Sequence, residues 1–367
     1  MKNSSGFSFL GTFGLTILAI AGLFAADTFL AAVDRKESDV DAARFFSEAQ
    51  ALIAKGQNAQ AIDHINDALE IERGNRVYLR TLAQAQLATG RTEDAEKTAN
   101  DLLESDPTDG QASLLMARVL TKEGRYPEAI SYFHRAVYGH WEHDLPQNRR
   151  KARFELIDLL VRQNSKEELL AELLAVRAAP QDLKSRLQMG DLFLQAGSPA
   201  RAADIFHGIL HDAPNNAAAT AGMGETEFAR ANYRLAQRYF QTALRLAPDD
   251  ATTKQRLEIC DQLLELDPML RGLSADERFR RSLKLVDLTL SEVNECTTQT
   301  PPPDMQALLD KANAALKAHV VNARQSEVSE ADLDIAEQLW QARKKEQCKT
   351  PVDANRPLAL VLARLTQ

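Results

Sequence analysis

Two groups of side chains in this sequence are of the types that bind metal ions or transfer protons. The first group, within five positions, is His140, Glu142, His143 and Asp144, and the second is His207 and His211. Histidines four residues apart fall on one face of a helix, a spacing that suits zinc, but no third ligand is evident near the second pair. A loop rich in polar residues is the simpler interpretation of the first group. We therefore expect no metal site and no cofactor.

Other signs of catalysis or of nucleic-acid binding are weak. The sequence contains no P-loop, no glycine-rich dinucleotide turn after a strand, and neither the zinc-protease nor the esterase motif. The formal net charge is −8, with 44 Lys and Arg against 52 Asp and Glu, whereas binding to phosphates requires a cationic surface. We expect a protein that is not an enzyme and does not bind nucleic acid.

A period of 34 residues runs through the first two thirds of the chain. Gly56, Gly90 and Gly124 are spaced by 34, and Gly197 follows after 73, which is 34 plus 39. The same intervals separate a second series, which consists of Ala61, Ala95, Ala129, Ala202 and Ala236. Several series that share one period and one five-residue insertion indicate a repeat architecture.

Each repeat has the pattern of two helices. In one of them, Gly124 ends an apolar helix and Pro127 opens the next, as expected from the preferences of glycine for helix ends and of proline for first turns. Ala129, Phe133 and Ala136 then recur at helical spacing. The sequence therefore predicts consecutive pairs of antiparallel helices.

The small–aromatic–small pattern resembles that of the tetratricopeptide repeat family. It occurs at Ala129, Phe133 and Ala136, and again at Ala236, Phe240 and Ala243 with Pro248 after them, while Gly190 and Gly224 match the glycine at the closest helix crossing. The resemblance covers residues 41–250 and implies an all-α, right-handed solenoid of six repeats. The repeat at Arg149–Asp182 departs most, because Leu156, Gln163 and Glu168 replace small residues.

Helices also follow the repeats. Residues 251–266 are expected to form a capping helix, with Leu257, Cys260, Leu263 and Leu264 on its apolar side. Residues 267–367 are expected to form a C-terminal helical module. Its predicted helices run from a capping box at Ser274–Glu277 to about Glu295, from Met305 to Val321, from Ser329 onward, and over Leu358–Leu365.

An apolar segment near the N-terminus predicts a membrane anchor within residues 1–36. Phe9 to Ala26 are 18 consecutive residues without a charge, and a helix of that length spans roughly 27 Å, close to the ~30 Å hydrocarbon core. A cleaved signal peptide is the alternative, although cleavage after Ala26 would place Phe24 where a small residue is preferred. Lys2 alone precedes the segment, which favours an extracytoplasmic, or periplasmic, location for the remainder.

The three cysteines are Cys260, Cys296 and Cys348. Cys260 lies on the apolar side of the capping helix and is expected to be buried. Cys296 and Cys348 each follow a predicted helix, so they could pair in an oxidising compartment or stay as two thiols in a reducing one. The sequence leaves both possibilities open.

The family resemblance implies that the first helix of each repeat lines a concave groove that binds a peptide or helix. The groove positions carried over in this way are Arg80, Gln84, Arg118, Lys122, Arg150, Arg153, Lys184, Asp191 and Glu225. The middle of this groove is basic, which favours an acidic protein partner, although arginine and lysine also solvate helix faces. The leading hypothesis is a membrane-tethered scaffold or assembly factor. The alternatives are an accessory subunit of a membrane enzyme or secretion complex and, remotely, a metal-dependent enzyme. Partner identity and oligomeric state stay open.

Overall fold

The computed structural model describes residues 38–176, 182–296, 301–318, 325–345 and 356–365, together with the single residues Phe24, Thr28 and Lys36. The described residues are helical apart from their connections, and one isolated parallel bridge joins Asp109 to His140. The chain divides into two compact units, Met1–Ser165 and Lys166–Gln367, which are described separately below. No helix within the described ranges has both the length and the apolar composition to cross a membrane. The apolar segment from Phe9 to Ala26 lies outside the described residues, except for Phe24. Thr28 and Lys36 are the other described residues within 1–36.

Unit 1 is an array of antiparallel helices. Its helices are α1 (38–54), α2 (Asn58–Ile71), α3 (Arg76–Ala88), α4 (Thr92–Ser105), α5 (Gly110–Lys122), α6 (Tyr126–Tyr138) and α7 (Leu145–Arg162). Each helix from α2 to α6 packs against the next one. The pairs turn at Gly56, Gly90 and Gly124, which all have positive φ, a conformation that glycine adopts without steric cost. The 34-residue glycine spacing is therefore the spacing of helix ends.

Unit 2 contains two further helix pairs and the C-terminal module. Its helices are α8 (Lys166–Leu174), α9 (Leu183–Gln195), α10 (Pro199–Asp212), α11 (Ala217–Ala229), α12 (Tyr233–Leu246), α13 (Ala251–Leu266), α14 (Ala275–Cys296), α15 (Pro303–Lys317), α16 (Gln325–Lys345) and α17 (Pro357–Leu365). Two glycines allow close crossing. A Cβ added to Gly190 would lie 2.6 Å from the Phe206 ring, and one added to Gly224 would lie 2.5 Å from the Phe240 ring. The predicted role of both glycines is confirmed.

The C-terminal module is built around the two long helices α14 and α16. Helices α14 and α16 pack along each other, α15 packs on both, and α17 docks on α13. Their shared apolar core includes Leu263, Leu285, Val293, Leu339 and Leu362. The predicted capping box is confirmed at its N-terminal end, because the Glu277 amide donates to Ser274 Oγ at 3.2 Å.

Two helix boundaries in this module differ from the sequence prediction. Helix α15 starts at Pro303, because proline suits a first helical turn. It ends at Lys317 and not at Val321. Helix α16 begins at Gln325, four residues before the predicted start at Ser329. Periodicity alone places helix ends only approximately.

Candidate functional site

The nine predicted groove residues fall on the first helices of the repeats. The assignments are Arg80 and Gln84 on α3, Arg118 and Lys122 on α5, Arg150 and Arg153 on α7, Lys184 and Asp191 on α9, and Glu225 on α11. The first six belong to unit 1 and the last three to unit 2. The two sets are therefore treated as separate surfaces.

Arg80 differs from the expectation of an accessible groove cation. It is 7% exposed, and its guanidinium nitrogens lie 2.9 Å from Asp109 Oδ2 and 3.0 Å from Glu142 Oε2. Arg76 also donates to Asp109, at 2.6 Å. Although burial opposes charge here, the hydrogen bonds that Arg80 donates to Glu142 and Asp109 raise its pKa. This residue belongs to a buried ion network, because sequence register places a side chain on a face but does not show its partners.

Arg118 also forms an ion pair within the protein. Its Nε and one terminal nitrogen each lie 2.7 Å from an oxygen of Glu155 on α7, the bidentate geometry that guanidinium and carboxylate groups favour. Lys122 donates its ammonium group to the Leu87 carbonyl at 2.8 Å, and Gln84 is exposed. Two of the predicted groove arginines are thus already neutralised by glutamates of unit 1.

The first half of α7 carries a cluster of three arginines. We call Arg149, Arg150 and Arg153 the cationic face, since their spacing places them within about 100° on the helix. Arg149 donates to the Gly139 carbonyl at 3.2 Å, and Arg150 is exposed. Within the described residues, no carboxylate pairs with either of these two arginines. The Arg153 guanidinium lies 5.9 Å from the centre of the Tyr138 ring.

The N-terminus of α7 adds to the positive potential. Asp144, the N-cap residue, has φ 46° and makes no side-chain capping hydrogen bond, and the first turn contains no acidic residue. The free amide groups of a helix N-terminus carry roughly half a positive charge. Arginines close to this end are electrostatically unfavourable for the helix, so an anion bound there relieves repulsion.

Unit 2 presents a different surface at the same repeat positions. Lys184 and Asp191 are exposed as whole residues. Partial desolvation of the Asp191 carboxyl group raises its pKa. Glu225 accepts from Arg256 at 2.8 Å. Burial raises the pKa of Glu225, Arg256 opposes this effect, and the charge of Asp191 adds to it.

Loop 139–144, which contains the five-residue insertion, docks onto the loop before α5. The His140 amide donates to Thr108 O at 2.7 Å, the Gly110 amide donates to His140 O at 2.8 Å, and the buried Trp141 indole donates to Ala136 O at 2.8 Å. Glu142 reaches Arg80. The candidate metal residues of this loop are therefore spread over separate contacts, and the described part of the chain holds no group of three or more side chains suited to a metal ion. Of the histidine pair on α10, His207 is exposed, and His211 Nδ1 lies 3.2 Å from Asp212 Oδ1.

The cysteines have distinct states. Cys260 is free and buried, as predicted, and burial raises the pKa of its thiol to about 12. Cys296 is disulfide-bonded. Cys348, the partner considered in the sequence analysis, lies outside the described residues.

Profiles of one family match several parts of the chain. A profile described as "Tetratricopeptide repeat" matches residues 52–119 and 193–255, and a second of the same description matches residues 112–140. The chain contains tetratricopeptide repeats. Proteins of this family generally act as scaffolds for protein interactions. No curated protein sequence matches this chain.

Several solved structures are similar in fold to part of this chain. YrrB, described as having an unusual peptide-binding site, is 20% identical, with a TM-score of 0.42 over 53% of this chain and 97% of its own. PilW, described as a type IV pilus biogenesis factor, is 17% identical, with a TM-score of 0.40 over 59% and 98%. The C-terminal part of a repeat protein from Cytophaga hutchinsonii is 16% identical, with a TM-score of 0.44 over 77% and 98%.

Sequence reasoning missed the acidic partners of the groove arginines. Glu155 follows Arg118 by 37 residues, close to one repeat length, and this near-period is a signal that could have indicated the pair. Glu142 follows Arg80 by 62 residues from within an irregular loop. No periodic signal indicates that contact.

Proposed function

We propose that this protein is a non-enzymatic scaffold that binds an acidic segment of a partner protein through the cationic face of α7. The observation that carries the proposal is that Arg149 and Arg150 stand at an uncapped helix start without a carboxylate partner among the described residues. Charge-assisted hydrogen bonds from arginine to carboxylates are strong and directional. Arg80 and Arg118 are not counted in this face, because carboxylates of unit 1 already neutralise their charges.

We further propose that the N-terminal apolar segment tethers this scaffold to a membrane, with the repeats on the extracytoplasmic side. The run from Phe9 to Ala26 supports the tether, and the disulfide at Cys296 supports an oxidising compartment. A tether confines the binding surface to a thin layer and raises the effective concentration of membrane-bound partners.

The experiment is crosslinking and co-purification from native membranes with a charge-reversal variant. Arg150→Glu is the variant of choice, because Arg150 is exposed and no described residue is a side-chain partner whose loss would disturb the fold. Arg238→Glu is the matched control, since Arg238 is exposed on α12, the second helix of a repeat. We expect one dominant partner that is lost from Arg150→Glu and retained by Arg238→Glu.

Salt provides a second check. An interaction between arginines and an acidic segment weakens as ionic strength rises from low values to about 0.5 M, because the Debye length falls below 10 Å. A partner that persists in Arg150→Glu and at high salt would contradict the proposal. It would favour an accessory subunit attached through another surface.

A further inference from the structure

Arg80 is held by two carboxylates that differ in how firmly they are fixed. Asp109 has a side chain only 4% exposed. Its Oδ1 accepts from the amides of Gln111 and Ala112, and its Oδ2 accepts from Arg76 and Arg80. Four hydrogen bonds in a buried position make Asp109 a permanent part of the fold.

Glu142 is held much less firmly. Its side chain is 51% exposed, and among the described residues only Arg80 forms hydrogen bonds with its carboxylate, at 3.0 and 3.3 Å. Arg80 lowers the pKa of Glu142, so the carboxylate is charged at neutral pH. Because water competes at an exposed ion pair, this contact exchanges readily.

Arg80 itself cannot be left without an acceptor. Its side chain is 9% exposed, and its Nε is buried without a hydrogen-bond partner, as is the Nε of Arg76. A buried guanidinium that lost Glu142 would have further donors unsatisfied, which is costly. A carboxylate of a bound partner has the charge and the acceptor geometry to take the place of Glu142.

We propose that Glu142 is an internal competitor, and that a carboxylate of the bound acidic partner replaces it on Arg80. This inference rests on the proposed function and adds a second anion-binding point to unit 1. Exchange of one carboxylate for another conserves both the charge and the hydrogen bonds of Arg80. The backbone of His140 also anchors the loop, so loss of the Glu142 contact loosens the loop without detaching it.

The test measures binding of fluorescein-labelled hexaglutamate to the full-length protein by fluorescence anisotropy. Glu142→Gln keeps the shape of the side chain but weakens its hold on Arg80. We expect it to tighten hexaglutamate binding by about fivefold or more. Glu104→Gln is the control for net charge, because Glu104 is exposed on α4, and it should change the affinity less than about twofold.

Arg150→Glu separates this inference from the proposed function. Weaker binding in Arg150→Glu with unchanged or weaker binding in Glu142→Gln would overturn the competitor role and leave the cationic face standing. Tighter binding in Glu142→Gln with no effect of Arg150→Glu would support the competitor and contradict the cationic face. Absence of binding in every variant would overturn both.

Hydrogen exchange gives a readout that does not depend on a variant folding correctly. Hexaglutamate should accelerate exchange of the amides of loop 139–144 in the wild-type protein, because Glu142 loses its anchor. Slower or unchanged exchange in this loop, together with measurable peptide binding, would overturn the proposal.

Discussion

The guanidinium of Arg118 and the carboxylate of Glu155 meet in two parallel contacts, each 2.7 Å long. The pair connects α5 with α7 across unit 1. Arg118→Glu would place two carboxylates together, and we expect it to lower the free energy of unfolding by about 1–3 kcal/mol. Chemical denaturation of the variant measures this change.

The exchanged pair is the control for that experiment. Arg118→Glu combined with Glu155→Arg restores opposite charges and should recover about half or more of the loss. If the double variant is no more stable than Arg118→Glu alone, the pair does not contribute to stability through its charges.

Gly110 is covered by the indole of Trp141. A Cβ added to Gly110 would collide with the Trp141 ring, so Gly110→Ala is expected to destabilise the protein by about 1–3 kcal/mol through overpacking. Gly74→Ala is the matched control, because nothing lies within 4 Å of a Cβ at Gly74. Thermal unfolding should separate the two variants. Equal melting temperatures would mean that loop 139–144 accommodates the added methyl group without loss of stability.

Ala231 occupies the position at which four other repeats have glycine. Its φ is 59°, and a left-handed conformation costs an alanine about 1 kcal/mol. Ala231→Gly should therefore stabilise the protein by roughly that amount. Ala229→Gly, at the end of α11, should instead destabilise it by about 0.5–1 kcal/mol. Denaturant midpoints that move in the same direction for both variants would refute the strain at Ala231.

Asp332 and Asp250 are expected to respond to pH with opposite signs. Burial raises the pKa of Asp332, and a 3.2 Å hydrogen bond from Ser282 only partly offsets this. The penalty is absent below the unfolded pKa of about 4 and complete above the folded value. Asp332→Asn should therefore raise the unfolding free energy at neutral pH and lose this advantage near pH 3.5.

For Asp250, hydrogen bonds from Thr253 and Thr252 lower the pKa. Its stabilisation is present above the unfolded pKa and is lost as the pH falls through the lower folded value. Asp250→Asn should lower stability slightly at neutral pH, with the difference vanishing in acid. Guanidinium denaturation at several pH values tests both aspartates, and parallel curves for the two variants would contradict the assignment.

The repeat architecture was predictable because local chemistry encodes it. Gly90 and Gly124 end helices with positive φ, and Phe240 needs a residue without a Cβ opposite it at Gly224. Each of these requirements acts within a few residues or one helix pair, so it leaves a periodic trace in the sequence.

The chemistry of the groove was only partly predictable. The register placed Arg80 and Arg118 on the correct helices, but their charges are cancelled by residues 62 and 37 positions later. Such pairs depend on the packing between helices and on the path of an irregular loop. Arg150, which the same register placed on α7, is exposed and has no such partner among the described residues.

Asp109 performs two tasks with its two oxygens. Oδ1 holds the first amides of α5, whereas Oδ2 holds the arginines of α3. Burial alone would raise the pKa of Asp109, but these hydrogen bonds and the charge of Arg80 keep it lowered. A single proton arriving at this carboxylate would loosen the start of one helix and release the cations of another together. Protonation of Asp109 would therefore weaken two neighbouring repeats at the same time, because each of its oxygens holds a helix of a different repeat.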